Sequence, residues 1–300
     1  MKRAEWMTIP EWSNVKQVPV FHREQNTQPL PQSNAPKNLH VLVRGAVVLP
    51  EGQYILRISA DDCYQAWLDG RFLGSGPAPG YPQRYFYQEY PITGGGKRVI
   101  ALHLYYQGLI NRVWNSGDGR FGVWAEIVRE NNVLARCDEH WKYQICDAYS
   151  GDTVGYETQF LENFDSRKYP EHWEEPAYPD HDWPHLVRAG YADYRLEKQP
   201  TQNLDWQSRA AGRTSALPQG ILLDFGKEIT GVLLLRASGR NGQTVRILYG
   251  EELDDSGAVR FELRCNCRYE EICTLKTASA PFMGTIIRRF VMCSWNLSRM

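Results

Sequence analysis

A chain of 300 residues with 42% apolar and 23% charged side chains and a formal net charge of −1 is that of an ordinary soluble globular protein, long enough for two domains. Lys and Arg number 34 against 35 Asp and Glu, which leaves no basic excess to neutralise phosphates or anionic lipid and removes the usual driving force for nucleic-acid or membrane-surface binding. No apolar run approaches the roughly 18 residues a membrane span needs, and the opening MKRAEWMTIPEW lacks the apolar stretch of a secretory signal, so the chain reads as cytoplasmic.

The first 38 residues, Pro-rich from Pro29 to Pro36, read as an extended arm in which Val18-Pro19-Val20-Phe21 is the segment expected to pair as a strand. From Leu39 the text becomes β: LHVLVRGAVVLP, YILRISA, CYQAWLDGRFLGSG, RYFYQEYPIT, KRVIALHLYY and FGVWAEIVRENNVLARC. Apolar residues alternate within these runs, and turns are signalled at Glu51-Gly52, Asp69-Gly70, Gly94-Gly95-Gly96 and Asn131-Asn132. From about residue 138 to 200, Trp141, Trp173 and Trp183 stand among Pro170, Pro176, Pro179 and Pro184, predicting an ordered crossing stretch that covers the first domain. Strand text resumes at GILLDFG, TGVLLLRASG, TVRILYGEEL, VRFELRCNC and EEICTLK. The expected fold is all-β, two antiparallel β-sandwiches of jelly-roll, galactose-binding-like type: residues 39–190, including the Pro/Trp-rich cover from about 138, and residues 195–277.

Several residues invite a chemical reading. Glu251-Glu252 and Asp254-Asp255, and likewise Asp61-Asp62, fit either a general acid/base pair or a solvated turn. His103 lies in an apolar strand as a core histidine or a ligand, and Arg264, Arg268 and Glu270 read as a surface ladder. Cys265-Asn266-Cys267 has the spacing of alternate strand positions and lacks the second Cys pair of a zinc ribbon; the seven cysteines, odd in number and scattered, read as thiols in a reducing compartment. No G-x-S-x-G, P-loop or spaced His/Glu motif occurs, so neither cofactor nor metal is implied. Aromatic faces serve packed sandwiches or sugar rings, and Trp67, Tyr85, Tyr87, Trp114 and Trp124 are the candidate stacking platforms for a carbohydrate.

The hairpin Trp67-Leu68-Asp69-Gly70-Arg71-Phe72-Leu73-Gly74 resembles the (Y/W)-x-(N/D)-G-x-x-(V/L)-G signature of jelly-roll domains attached to large glycosidases, with Asp where Asn is more usual. HWKYQ, YETQFLENFDSRKYPEHW and HDW, through Trp141, Glu162, Asp165, Arg167, Trp173 and Trp183, resemble the inter-sandwich segment of bacterial α-L-rhamnosidases of glycoside hydrolase family 78. The following text is similar to the next sandwich of the same enzymes, through Asp224-Phe225-Gly226, Gly231, Gly242, Tyr249-Gly250-Glu251-Glu252-Leu253 and Gly257. The resemblance runs from about Val41 to Lys276. It implies an inverting glycosidase whose catalytic acids lie in an (α/α)6 barrel following these sandwiches, where this chain stops. Those acids match no position here, so the resemblance implies an accessory portion, inactive alone, in an enzyme acting on terminal α-L-rhamnosides of plant or bacterial glycans. A rhamnose-containing oligosaccharide and the missing barrel are its implied partners, and a free-standing carbohydrate-binding module is the alternative.

PFMGTIIRRFVMCSWNLSRM departs from the pattern that the resemblance supplies. Read from the third base of the Phe282 codon, the single-codon residues Met and Trp force Gly, Val and Glu, and permitted choices elsewhere give YGDYNKAFRYVQLE, a closing strand of the expected kind. Residues 282–300 are thus expected to be a frameshifted tail, poorly docked on the second sandwich.

Overall fold

The computed structural model describes residues 4–13, 15, 36–80, 84–109, 119–190, 195–218, 220–277, 280–284 and 288–297. Among the described residues the only helix is the single 3-10 turn Pro10–Trp12; all other regular structure is strand. The chain forms two units, residues 1–145 with 172–206, and residues 146–171 with 207–300.

In the first unit, β1 (Met7–Thr8), β2 (Leu39–Leu49), β3 (Gln53–Asp61), β4 (Cys63–Leu68), β5 (Arg71–Gly76), β6 (Arg84–Thr93), β7 (Gly96–Tyr106), β8 (Gly122–Arg129), β9 (Asn132–Arg136) and β10 (Lys142–Ile145) reproduce the strand text closely from Leu39 on. The start of the chain differs from the expected arm. Trp6, Met7, Ile9 and Trp12 are buried, and Met7 pairs with Val123 of β8, so four large apolar side chains dock the segment that composition alone made an arm. Val18 to Phe21 lie outside the described residues. Turn chemistry is as the sequence requires: Asp69 (φ 51°) and Gly70 (φ 80°) close the β4–β5 hairpin with two left-handed residues. The Asp69 carboxylate then accepts from the Val99 amide at 2.7 Å and pairs with Arg98 at 3.2 Å, tying the hairpin to β7. The β8–β9 turn centres on Glu130 and Asn131, one residue before its predicted place.

The intervening segment is divided rather than continuous. Its first part carries β11 (Tyr149–Ser150), β12 (Thr153–Val154), β13 (Gln159–Phe160) and β14 (Asn163–Asp165) in the second unit; residues 172–206, with β15 (Val187–Arg188) and β16 (Arg195–Lys198), return to the first. One sheet of the first unit runs β15-β1-β8-β3-β6-β16 with β9 on β8, and the other β10-β2-β7-β4-β5. Their inner faces share one core, with Val41, Val43, Leu102 and Leu104 from one sheet and Leu56, Ile58, Val123 and Ile127 from the other. Period-2 burial drives this pairing, since a slip of one residue would turn each apolar set outward.

The 172–186 cover is fixed by a buried cation. Arg44, only 3% exposed on β2, donates to Asp180 Oδ2 at 2.9 Å, to the Glu175 carbonyl at 3.1 Å and to the Trp173 carbonyl, with the Tyr178 ring 5.4 Å from its guanidinium carbon. Lys142 adds a bond to the Asp180 carbonyl at 2.8 Å. Trp173 is fully enclosed, edge-on to Trp67 and stacked with Trp183. Gly45 lies under Trp141, where any Cβ would overlap the indole.

The second unit is built from β17 (Arg213–Leu217), β18 (Gly220–Gly231), β19 (Leu234–Ala237), β20 (Thr244–Gly250), β21 (Glu270–Thr274), β22 (Ala280–Met283) and β23 (Arg288–Leu297). Its sheet runs β11-β14-β21-β20-β23-β18-β17, beside the ribbons β12–β13 and β19–β22. The stretch VRFELRCNC, expected as a strand, makes only isolated bridges, Leu253 to Val259 and Glu262 to Arg268, because positive φ at Cys265 and Asn266 folds it into turns. The tail also differs from expectation. β23 is interior, with Ile221 and Ile247 both opposite Trp295, and its backbone completes the ladders of β18 and β20. Strand pairing uses main-chain groups that every non-proline residue carries, and β23 contains no proline.

Two outcomes follow. Arg44→Ala leaves the Trp173 and Glu175 carbonyls without their donor and Asp180 with Lys142 alone, and is expected to cost about 1–3 kcal/mol in urea unfolding of the first unit. Deletion of residues 284–300 is expected to abolish cooperative unfolding of the second unit, read by hydrogen exchange on β18 and β20; retained protection there would show that β23 is dispensable.

Candidate functional site

A group of buried polar residues of the first unit lies where the chain passes between sheets. β3 ends at Asp61 in one sheet, β4 begins at Cys63 in the other, and Asp62 makes the crossing. Asp61 Oδ2 accepts from the Tyr85 hydroxyl at 2.8 Å; Asp62 Oδ2 accepts from the Gln107 amide at 2.8 Å, while the Asp62 amide donates to the Tyr105 carbonyl at 3.1 Å. At 3% and 9% exposure these acids form no solvated turn, and donors of the fold itself engage both carboxylates. Gln107, whose amide reaches Asp62, is fully buried.

Beside this corner His40 on β2 and His103 on β7 share a hydrogen bond, Nδ1 to Nε2, of 3.0 Å, with the Tyr105 ring 4.6 Å from that of His40. Burial pushes His103 down to about 3; burial, and then the charge His103 would carry, pushes His40 well below the usual histidine range. Both imidazoles are neutral at pH 7, one donating and one accepting, which is the core role among the two open to His103. No group of three His, Cys, Asp or Glu side chains able to hold a metal ion occurs among the described residues.

The candidate stacking residues are brought together only in part. Tyr85, Tyr87 and Trp124 form one cluster with Trp6, but its faces are occupied: Trp6 stands edge-on to Tyr85 at 5.4 Å, Tyr87 lies 5.7 Å from Trp124, and Trp124 Nε1 donates to the Ala4 carbonyl at 3.1 Å. Arg57 covers Tyr87 from 5.5 Å and pairs with Glu89 and Glu126. Trp67, on the other sheet, is buried between Phe72 and Trp173. Trp67, Tyr85 and Trp124 are thus buried, because the N-terminal segment and the 172–186 cover enclose rings that strand text alone leaves on outer faces. Tyr87 is half-buried, and Trp114 lies outside the described residues.

In the second unit Glu251, Glu252, Asp254 and Asp255 are exposed. Asp254 Oδ1 caps a turn, accepting from the Ser256 amide at 2.9 Å, the Ser256 hydroxyl at 2.6 Å and the Ala258 amide at 3.1 Å, and Glu252 pairs with Arg260. Of the two readings left open, the turn is the one the fold uses. Arg268 bridges Glu262 and Glu270, and Arg246 joins Glu270, so the ladder runs through Arg268 and Glu270. Sequence reasoning missed two buried carboxylates, Glu126 in the first unit and, in the second, Glu271, accepting from the Glu162 amide and the Tyr249 hydroxyl, each at 2.9 Å. The only sequence signal for Glu271 is an acid at an inward position of the EEICT alternation.

Residues 215–278 match the bacterial alpha-L-rhamnosidase concanavalin-like domain. The chain is similar, over this stretch, to a β-domain of bacterial α-L-rhamnosidases. An alpha-L-rhamnosidase of Streptomyces avermitilis is 27% identical over 217 residues, 65% of this chain and 20% of that protein. The structure of the Dictyoglumus thermophilum alpha-L-rhamnosidase superposes with a TM-score of 0.70 at 16% identity, over 98% of this chain and 34% of the other. That of the Streptomyces avermitilis enzyme complexed with L-rhamnose gives 0.67 at 22% identity, over 87% of this chain and 27% of the other. The chain thus spans a fifth of the curated relative and about a third or less of these solved chains.

The histidine pair sets an acid limit on the fold. Unfolded histidines titrate near 6.5, whereas the folded pair stays neutral, so below about pH 6.5 the unfolded state binds more protons and stability falls as pH falls. The loss is expected to approach about 1.4 kcal/mol per pH unit for each histidine until the folded values are reached. For Glu89 and Asp180, burial is outweighed by Lys198 and Arg57 in one case and by Arg44 and Lys142 in the other; both sit below their usual range and lose their contribution only at lower pH. Thermal unfolding between pH 7 and 5 is expected to show a falling midpoint, flattened in a His40→Asn/His103→Asn variant. A flat profile in the native chain would overturn the assignment.

Proposed function

We propose that this chain supplies the non-catalytic β-region of an α-L-rhamnosidase acting on terminal α-L-rhamnosides, and that by itself it does not cleave them. Glycoside inversion needs an acid and a base roughly 6.5–9.5 Å apart with a water between them. The observation that carries the reading is the state of the acids: Asp61, Asp62 and Glu271 are buried and engaged by donors of the fold, while Asp254 and Glu252 serve an exposed turn. We also carry forward the reading of residues 282–300 as frameshifted text occupying the place of a closing strand. Barrel-coding sequence in a shifted frame downstream of the Phe282 codon would support it, and an intergenic gap would count against it.

Purified chain incubated with an aryl α-L-rhamnoside is expected to give no turnover; turnover abolished by Glu251→Gln or Glu252→Gln would place an active site in the second unit and refute the proposal. Titration with L-rhamnose, followed by amide chemical shifts, is expected to leave the spectrum unchanged; localised perturbations would favour the alternative of a carbohydrate-binding module.

A further inference from the structure

The run Cys265-Asn266-Cys267 is used by neither reading above. Residues 264–267 form a β-turn, with Cys265 (φ 62°) and Asn266 (φ 57°) both left-handed and the Cys267 amide donating to the Arg264 carbonyl at 3.3 Å. Its base is closed by the Leu263 amide on the Cys267 carbonyl at 2.8 Å and by the Glu262–Arg268 bridge. Such a turn favours Gly or Asn at both centres; Asn266 complies and Cys265 does not, an outlier of the kind that marks functional positions.

The turn also gathers reactive groups. Cys267 Sγ lies 3.8 Å from the Cys265 carbonyl oxygen, folded back over its neighbour's peptide, and the Tyr156 hydroxyl hydrogen-bonds the Cys265 thiol. Tyr156 is held there because the Gly155 amide donates to the Asn266 carbonyl at 3.2 Å, joining the tip of the β12–β13 ribbon to the turn. A turn draws alternate Cα atoms closer than the roughly 6.6 Å they hold along a strand, and so further inside the roughly 4.4–6.8 Å window of a disulfide. Cys265 is exposed and Cys267 half-exposed, whereas Cys137, Cys146 and Cys273 are buried. Burial holds Cys137 well above the ordinary thiol range and pushes Cys146 and Cys273 up to about 12, leaving them almost no thiolate.

We propose that Cys265 and Cys267 are a dithiol–disulfide site that exchanges with a low-molecular-weight disulfide of the glutathione class. The Cys265 thiolate attacks one sulfur of the oxidised tripeptide, whose S–S bond breaks; the leaving thiolate takes up the proton that Cys265 released. The Cys267 thiolate then attacks Cys265 Sγ, breaking the mixed disulfide and releasing the second tripeptide thiol. Two protein thiols are oxidised to one disulfide and one small disulfide is reduced to two thiols. The second step is intramolecular, with a high effective concentration, so the mixed disulfide is short-lived.

The test incubates the full chain with graded ratios of oxidised to reduced glutathione, traps remaining thiols by alkylation and maps them by peptide mass. The expected result is joint loss of both alkylatable thiols from the peptide spanning 265–267, with no retained glutathione, while Cys137, Cys146 and Cys273 stay alkylatable. Cys267→Ser is expected to leave glutathione on Cys265. A native chain that accumulates a stable glutathione adduct at Cys265, or keeps both thiols alkylatable at every ratio, would overturn the proposal; both are read on the unsubstituted protein.

Discussion

The first unit depends on one buried cation. Arg44 projects from the outer face of β2 into a shell made by residues 173–180, where carbonyl oxygens, the Asp180 carboxylate and the Tyr178 ring replace the water that its guanidinium gives up. A planar five-donor fork suits this arrangement; a lysine would satisfy one direction and leave the other acceptors bare. Around that fixed point the cover needs no long strands. Trp173 and Trp183 stack beneath it, Trp67 of β4 is sealed by Trp173, and Gly45 concedes its side-chain volume to Trp141. The Pro-rich composition of the segment fits this role, because its backbone is held by side-chain donors of the sheet rather than by a ladder of its own.

A second set of polar groups works in the opposite sense, joining the two sheets instead of covering one. Asp61 reaches to Tyr85 of β6 and Asp62 to the backbone just beyond β7, so a single chain crossing is pinned to both layers. Neutral His40 and His103 extend the polar seam along the five-stranded sheet. Buried polar seams of this kind specify register more than they add stability, since a slipped strand would strand each donor and acceptor in an apolar core.

Much of this was legible in the text. Alternation located β2 through β9 to within a residue or two, and Asp69-Gly70 named its own hairpin, because period-2 burial and left-handed turns depend on near neighbours in sequence. What could not be read depends on distant partners. Trp6, Met7 and Ile9 look like the start of a tail until β8 is placed beside them. Tyr85 and Trp124 look like outer-face aromatics until the N-terminus covers them. Cys265 and Cys267 have strand spacing, yet backbone dihedrals decide that they turn. The closing strand was misjudged for a related reason: apolar period predicts which face a side chain takes, whereas inclusion in a ladder asks only for unpaired N–H and C=O groups on both sides, which β18 and β20 offer to Arg288–Leu297.

The two units are interleaved along the chain, residues 146–171 leaving the first before residues 172–206 return to it. During synthesis the first sandwich therefore emerges without its cover and without β16, the parallel partner of β6. Elongation at roughly 5–20 residues per second leaves that sheet face open for seconds while a piece of the other unit is made. β14 waits longer still, for its parallel partner β21 more than a hundred residues on. Neither unit can mature as a contiguous block, so nascent chains pass through a stage with bare sheet edges.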